Sequence, residues 1–209
     1  MRTGRGFERL VNFSDAVIAI AVTLLVLPLV EIPAEIKPDE PFHEILTEHA
    51  GQFGAFALSF VVIWTFWSAH HRMMEFFHGY DHILAQLHMV FLFTLVTLPF
   101  STQLLSSEAD EESAPLYLGT LLVTSLVLTG MSMRGRSHPD LLHADREEVQ
   151  LWLRRPLSLY RPAVLSIALV VSLFAAPIGL LLLFLLVFDS LVERLLARVR
   201  GVPPPDDQS

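Results

Sequence analysis

The sequence predicts an all-α, polytopic membrane protein with six transmembrane helices in one bundle, and three observations carry that prediction. Of its 209 residues, 53% are apolar and 17% are charged, whereas soluble domains average roughly 45–50% and about 25%. The apolar residues fall in long blocks, each near the ~20 residues that cross a hydrocarbon core of about 30 Å. The basic residues gather between alternate blocks, as expected for segments retained on the cytoplasmic side.

The first block, residues 10–30, opens with polar residues and then runs apolar to Val30. Asp15 interrupts it early, and Glu31-Ile32-Pro33 follows without a small-x-small cleavage site, so an uncleaved helix is expected rather than a signal peptide. The second span is about 50–69, the third 84–105 and the fourth 116–133. The last apolar region, 162–198, has 37 residues and would be about 55 Å long as one helix, too long for a single crossing. Ala175-Ala176-Pro177-Ile178-Gly179 lies near its middle and predicts a break, giving short spans at about 158–175 and 177–197. Residues 1–200 are thus expected to be one domain. Residues 201–209, with three consecutive prolines, read as a disordered tail.

Six spans with the first residue inside place thirteen Arg on the inner side and leave only Lys37 outside. Five spans would put Arg194, Arg198 and Arg200 outside. The pattern therefore predicts both termini in the cytoplasm of a multi-pass protein of the cell membrane. Residues 134–161 are polar and basic, and are expected to form a partly helical cytoplasmic connector. The outer segments are acidic: residues 31–48 carry six carboxylates, and Glu108-Ala109-Asp110-Glu111-Glu112 follows later. They read as solvated surface or as a local concentrator of cations.

A net charge of −8 argues against a nucleic-acid partner, and the absence of cysteine excludes disulfides, thiolate catalysis and cysteine metal sites. No phosphate-cradling glycine loop or Ser-His-Asp pairing is present. No enzymatic activity and no cofactor are expected.

The first span opens Arg9-Leu10-Val11-Asn12-Phe13-Ser14-Asp15-Ala16-Val17-Ile18-Ala19-Ile20. A charge costs up to roughly 2.5–3.5 kcal/mol at a transmembrane helix centre, so these polar groups should be paired, face protein or touch water. The Arg-x-x-x-Phe-Ser-Asp pattern and the Ala-Val-Ile-Ala-Ile-Ala-Val-Thr-Leu-Leu-Val-Leu run resemble the first helix of the transmembrane protein 175 family, potassium channels of endolysosomes with six-helix homologues in bacteria. Phe66-Trp67-Ser68-Ala69-His70-His71-Arg72 resembles the end of that family's second helix. Asp81 with Leu98-Pro99-Phe100-Ser101-Thr102 resembles its third, and Arg155-Pro156-Leu157 also fits. The likeness covers most of residues 9–190. His88 stands where the family pattern has Asn.

At about 100° per residue, Phe13, Ala16, Ile20, Thr23 and Leu27 share a narrow stripe, with Asp15 roughly opposite Ile20. From the residues alone, Ile20 and Leu27 read as lipid-facing or core positions, and Thr23 as an ordinary packing hydroxyl. The resemblance implies instead that Ile20, Thr23 and Leu27 line a pore, and that Arg9, Phe13, Ser14 and Asp15 lock the helix. It also implies a homotetramer in the lipid bilayer, in which each stripe residue becomes a ring, and the potassium ion as the permeant partner. The sequence has no Thr-Val-Gly-Tyr-Gly filter. An Ile20 ring would act as a hydrophobic constriction, favouring potassium modestly because potassium sheds water more cheaply than sodium.

Trp64, Trp67 and His71 share a helical face, with His70 beside it, and Glu75, His78, Asp81, His82 and His88 follow. Three readings stay open: an interfacial aromatic belt with polar caps; a network, suggested by the resemblance, in which Trp67 and His70 or His71 bond Ser14 or Asp15, making gating pH-sensitive; and an iron or zinc site in this cluster of His and carboxylates, with His138 and His143 scattered beyond it. The channel reading extends to proton permeability, and a proton-coupled secondary transporter and a metal-dependent membrane enzyme are the alternatives in function.

Overall fold

The computed structural model describes residues 4–34, 41–106 and 113–187, and every named element is helical. The sequence-predicted tail at 201–209, and the sixth span beyond residue 187, lie outside the described residues.

Helix α1 spans Gly4–Leu24 and α2 spans Leu27–Glu31, followed by a 3₁₀ turn at Ile32–Ala34. Pro28 causes the interruption. It has no N–H to offer the carbonyl four residues back and its ring crowds that carbonyl. The chain tightens there into i→i−3 bonds, Leu25 N to Val22 O at 3.3 Å and Val26 N to Thr23 O at 3.4 Å. A short helix α3, Phe42–Glu48, leads into α4, Ala50–Met74.

Helices α4, α5 (His82–Ser106) and α6 (Ser113–Ser137) have 25 residues each. At 1.5 Å per residue they run about 37 Å, enough to cross a bilayer. With Arg5–Glu31, they are the four described helices long and apolar enough to do so. Asp81 caps α5, its Oδ1 accepting the Leu84 N–H at 2.8 Å. Pro99 lies inside α5 without ending it. Around it, hydroxyls bond back to the helix: Thr94 to Phe91 O, Thr97 to Thr94 O, and Thr102 to Leu98 O, each at 2.8 Å, so the polar side chains are satisfied locally in an apolar setting.

The end of α4 turns back through residues 75–81, and the end of α6 continues through a 3₁₀ turn, Pro139–Leu141, into the amphipathic helix α7, Glu147–Arg154. These two connectors are stitched together. His78 N bonds Leu141 O at 3.0 Å and His143 N bonds Phe76 O at 2.9 Å. Gly135 makes the approach possible, because a Cβ there would lie 2.6 Å from Phe77 Cζ. Arg134 forms an ion pair with Asp81, its Nε donating to Oδ2 at 2.9 Å. Burial alone would raise the Asp81 carboxyl, but the hydrogen bonds from Arg134 and Leu84 N–H outweigh it and hold it below the usual range. Arg136 sits 4.5 Å over the Trp152 ring and donates to the backbone carbonyls of Leu153 and Arg155. The start of α1 joins this face through Phe7 and Tyr80, whose ring centroids are 6.4 Å apart. The described arginines outside the apolar helix cores therefore collect at one end of the bundle, called here the basic face.

Helix α8, Tyr160–Ser172, turns at residues 173–175 into α9, Ala176–Leu181, and α10, Phe184–Val187. The turn falls at the front of the Ala-Ala-Pro-Ile-Gly run rather than in its middle, and Pro177 sits in the first turn of α9. Gly179 lets the two arms meet, since a Cβ there would be 2.6 Å from Ser172 Cβ and 2.8 Å from Ala168 O. With 13 residues, α8 is about 20 Å long, shorter than the predicted span.

The core lies between α4, α5, α6 and α8, with Ile63, Phe66, Phe91, Leu95, Tyr117, Leu121, Met131 and Leu165 fully buried. One polar chain crosses it. Thr102 spends its only hydroxyl proton on Leu98 O. Ser59 must therefore donate to Thr102, at 2.8 Å, and Tyr117 must donate to Ser59, at 3.0 Å.

Candidate functional site

Helix α1 has two unlike faces. Phe7, Ser14, Ile18, Ala21 and Leu25 are buried against the bundle, at steps of seven, four, three and four residues that make one helical stripe. On the other side Phe13, Ala16, Ile20 and Thr23 are exposed, with Leu27 beyond the Pro28 break. Phe13 and Ile20 are each 60% accessible, so this ridge has no partner within the described chain.

Asp15 sits between the two faces and turns inward. Trp67 Nε1 donates to its Oδ1 at 2.9 Å. The Trp67 ring stacks on His71, 5.1 Å between centroids at 28°, and lies 4.9 Å from Trp64. His71 Nδ1 is 4.0 Å from Asp15 Oδ2, and its Nε2 is 3.9 Å from Glu75 Oε1. One step along α4, His70 turns the other way and is fully buried. Its Nε2 meets His88 Nε2 at 2.8 Å, and its ring stacks on Phe91 at 4.6 Å. A bond between two ring nitrogens needs one N–H and one lone pair, so this pair shares a single proton across α4 and α5.

The structure thus brings Asp15, Trp67 and His71 together, and separately His70 and His88. Ser14 bonds its own helix, at Leu10 O, 2.8 Å, and takes no part in either group. Arg9 is exposed and has no ion-pair partner among the described residues. Thr23 donates to Ile20 O at 2.8 Å, which leaves its oxygen lone pairs on the exposed ridge. The sequence reading omitted Glu75 from its site residues, although its i,i+4 spacing from His71 was visible.

Beside this group, at the basic face, a cleft of about 470 Å³ is lined by Glu8, Asn12, His71, Glu75, His78 and His143 over an apolar floor. Burial, then Arg146 and His78, hold His143 below its ordinary value against the pull of Asp145. Among the described residues no three His, Asp or Glu side chains converge as a metal-ligand set.

Fold and site together define a helical, polytopic membrane protein whose first helix is anchored through one polar face and offers an apolar ridge on the other. The family profile described as "Endosomal/lysosomal potassium channel TMEM175" matches residues 9–99. A potassium channel of Chamaesiphon minutus is 30% identical over 147 residues, covering 68% of this chain and 72% of that protein. The endosomal/lysosomal proton channel TMEM175 of Rattus norvegicus is 27% identical over 196 residues, 87% of this chain. The chain spans 37% of the length of that relative. The crystal structure of a lysosomal potassium-selective channel TMEM175 homolog from Chamaesiphon minutus superposes with a TM-score of 0.67 at 24% identity, covering 90% of this chain and 97% of that one. The chain belongs to the TMEM175 family.

Proposed function

We propose that the chain is one subunit of a potassium-permeable cation channel, a homotetramer in which four copies of α1 surround the conduit. The observation that carries this reading is the rotation of α1. Its polar group is satisfied inside the protomer by Trp67, while the ridge Phe13, Ile20, Thr23 and Leu27 is left uncovered. Closed rotational symmetry converts that ridge into stacked apolar rings. Ile20 forms a constriction that gates by wetting and dewetting, with the Thr23 oxygens one turn beyond it available to a partly dehydrated ion. Two further features support the reading: the name borne by the Chamaesiphon minutus relative, and the inward turn of Asp15, which removes a fixed charge from the conduit.

In this arrangement the chain crosses the cell membrane six times, with α8 and the α9–α10 arm as the last two spans, and the basic face is cytoplasmic. Arg9, exposed at that face, then meets a neighbouring subunit or lipid phosphate rather than its own Asp15. The name of the rat relative makes proton flux the companion measurement. Purified protein in liposomes is expected to carry a potassium flux, and Ile20→Asn to raise the flux and lower potassium over sodium selectivity. Unchanged flux and selectivity in Ile20→Asn would refute the assignment of the constriction.

A further inference from the structure

We propose that His78 and His143 form a two-histidine site for a divalent late transition-metal ion, with zinc as its probe, which clasps the connector after α4 to the connector after α6. This inference does not depend on the channel reading.

The backbone puts both residues on one side of a stitched junction. Phe77 and Leu142 pair as an antiparallel bridge, held by His78 N to Leu141 O at 3.0 Å and His143 N to Phe76 O at 2.9 Å. Side chains alternate along extended chain. Phe77 and Leu142 are buried, and His78 and His143, one step along each strand, line the cleft beside α1. Residue 78 faces 141 across the bridge, so 143 is its diagonal neighbour, a separation that ring-bearing side chains can span. The two histidines are far apart in the chain, and this bridge is what brings them together.

The spacing of the rings fits a shared ion. Their centroids are 5.3 Å apart, with the planes at 62°. Zinc takes imidazole nitrogen at about 2.0–2.1 Å in a tetrahedral shell, which sets two coordinated ring centroids about 5.2 Å apart. The nitrogens must also converge. Among the described residues neither ring is tied by a side-chain hydrogen bond. The χ2 torsion of histidine is broad, and its axis passes close to the ring centroid. A turn about it therefore re-aims the nitrogens with the centroids almost in place. Neutral imidazole then supplies one lone pair from each residue.

Water completes the shell. Among the described residues no third His, Asp or Glu joins the pair to make a larger ligand set, so binding is reversible and weaker than at a four-ligand structural zinc. Glu8 and Glu75 line the same cleft and offset the charge of a dication through its coordinated water. Close to His143, Asp145 favours positive charge and Arg146 opposes it. Imidazole suits zinc, copper and nickel, whereas magnesium and calcium prefer oxygen. A bound ion adds a further link across the junction, and it stabilises the fold in proportion to its occupancy.

The test uses the full chain in detergent, without an affinity tag, at about pH 7.5, where most imidazole is neutral. Thermal unfolding is followed with added zinc or magnesium, and bound zinc is counted by equilibrium dialysis. Wild type is expected to bind a single zinc per chain. Its Tm should rise by about 3–6 °C when free zinc is tenfold above the dissociation constant, and magnesium should leave it unchanged. His78→Gln and His143→Gln should each lose both the bound zinc and the shift. His82→Gln, exposed at the start of α5, should keep both. The bridge is made by backbone groups, so the two site variants retain it. Dialysis needs only folded protein, and loss of zinc in either folded variant supports the site. Wild type that binds no zinc, zinc binding that survives in His78→Gln or His143→Gln, or loss in His82→Gln would overturn it.

Discussion

Trp67→Phe removes the donor that turns Asp15 into the protomer, and its effect follows from the geometry. The bond is 2.9 Å long and ends on a carboxylate, a class worth about 1.5–3 kcal/mol when fully buried. Asp15 is one-third exposed, with 33% of its side chain accessible, and interhelical hydrogen bonds in membrane proteins average about 0.6 kcal/mol with a maximum near 1.7. A coupling of about 1 kcal/mol between Trp67 and Asp15 is therefore expected. A double-mutant cycle of Trp67→Phe and Asp15→Ala isolates it, because the packing lost with the indole appears in both arms and cancels. Reversible unfolding in mixed micelles supplies the four free energies, and liposome flux on the same proteins reports whether α1 has lost its setting. Asp15→Asn, which keeps an acceptor for the indole, should fall between wild type and Asp15→Ala. A coupling below about 0.3 kcal/mol, the usual error of additivity, would mean that this hydrogen bond does not set the rotation of α1.

Thr102→Val strands the Ser59 hydroxyl proton, whereas Tyr117→Phe removes only the terminal donor of the same chain; thermal unfolding should show the first costing about 1–2 kcal/mol and the second about half that, and equal costs would contradict the assigned direction. Gly179→Leu drives a side chain into Ser172 and Ala168 O and should destabilise by about 1–3 kcal/mol, with Gly179→Ala milder, read as a lowered Tm. Asp81 has a depressed folded-state pKa, so its stabilisation is fully present above its unfolded value of about 3.9 and is lost as pH falls through the lower folded value. The wild-type Tm should drop across that acid window relative to Asp81→Asn, and parallel Tm profiles for the two would count against the Arg134 pairing.

The four long helices were legible because each is a long apolar run closed by charge or by proline and glycine. Rotation arithmetic, at 100° per residue, put Asp15 roughly opposite Ile20, but only the packing of α4 decided that it turns into the protomer toward Trp67. The Pro28 interruption had a signal in the sequence, but a proline near a helix end can be absorbed or can break the ladder, and only the surrounding chain decides. The His70–His88 bond was illegible. The two residues lie 18 positions apart on different helices, and only the way α4 packs decides which of the adjacent His70 and His71, about 100° apart on the helix, faces the core. The Ser59–Thr102–Tyr117 chain was hidden for the same reason: each hydroxyl reads as a common membrane-helix residue until three helices meet.

The stitched connectors at the basic face have a mechanical consequence. With the Phe77 ring lodged on Gly135, Arg134 gripping Asp81 and Arg136 braced over Trp152, the ends of α4, α5 and α6 form a stiff collar. The first helix packs beside that collar along its length, through the buried stripe from Phe7 to Leu25. A substitution along that stripe therefore reseats one rod while the stitched ends of the other three keep their places.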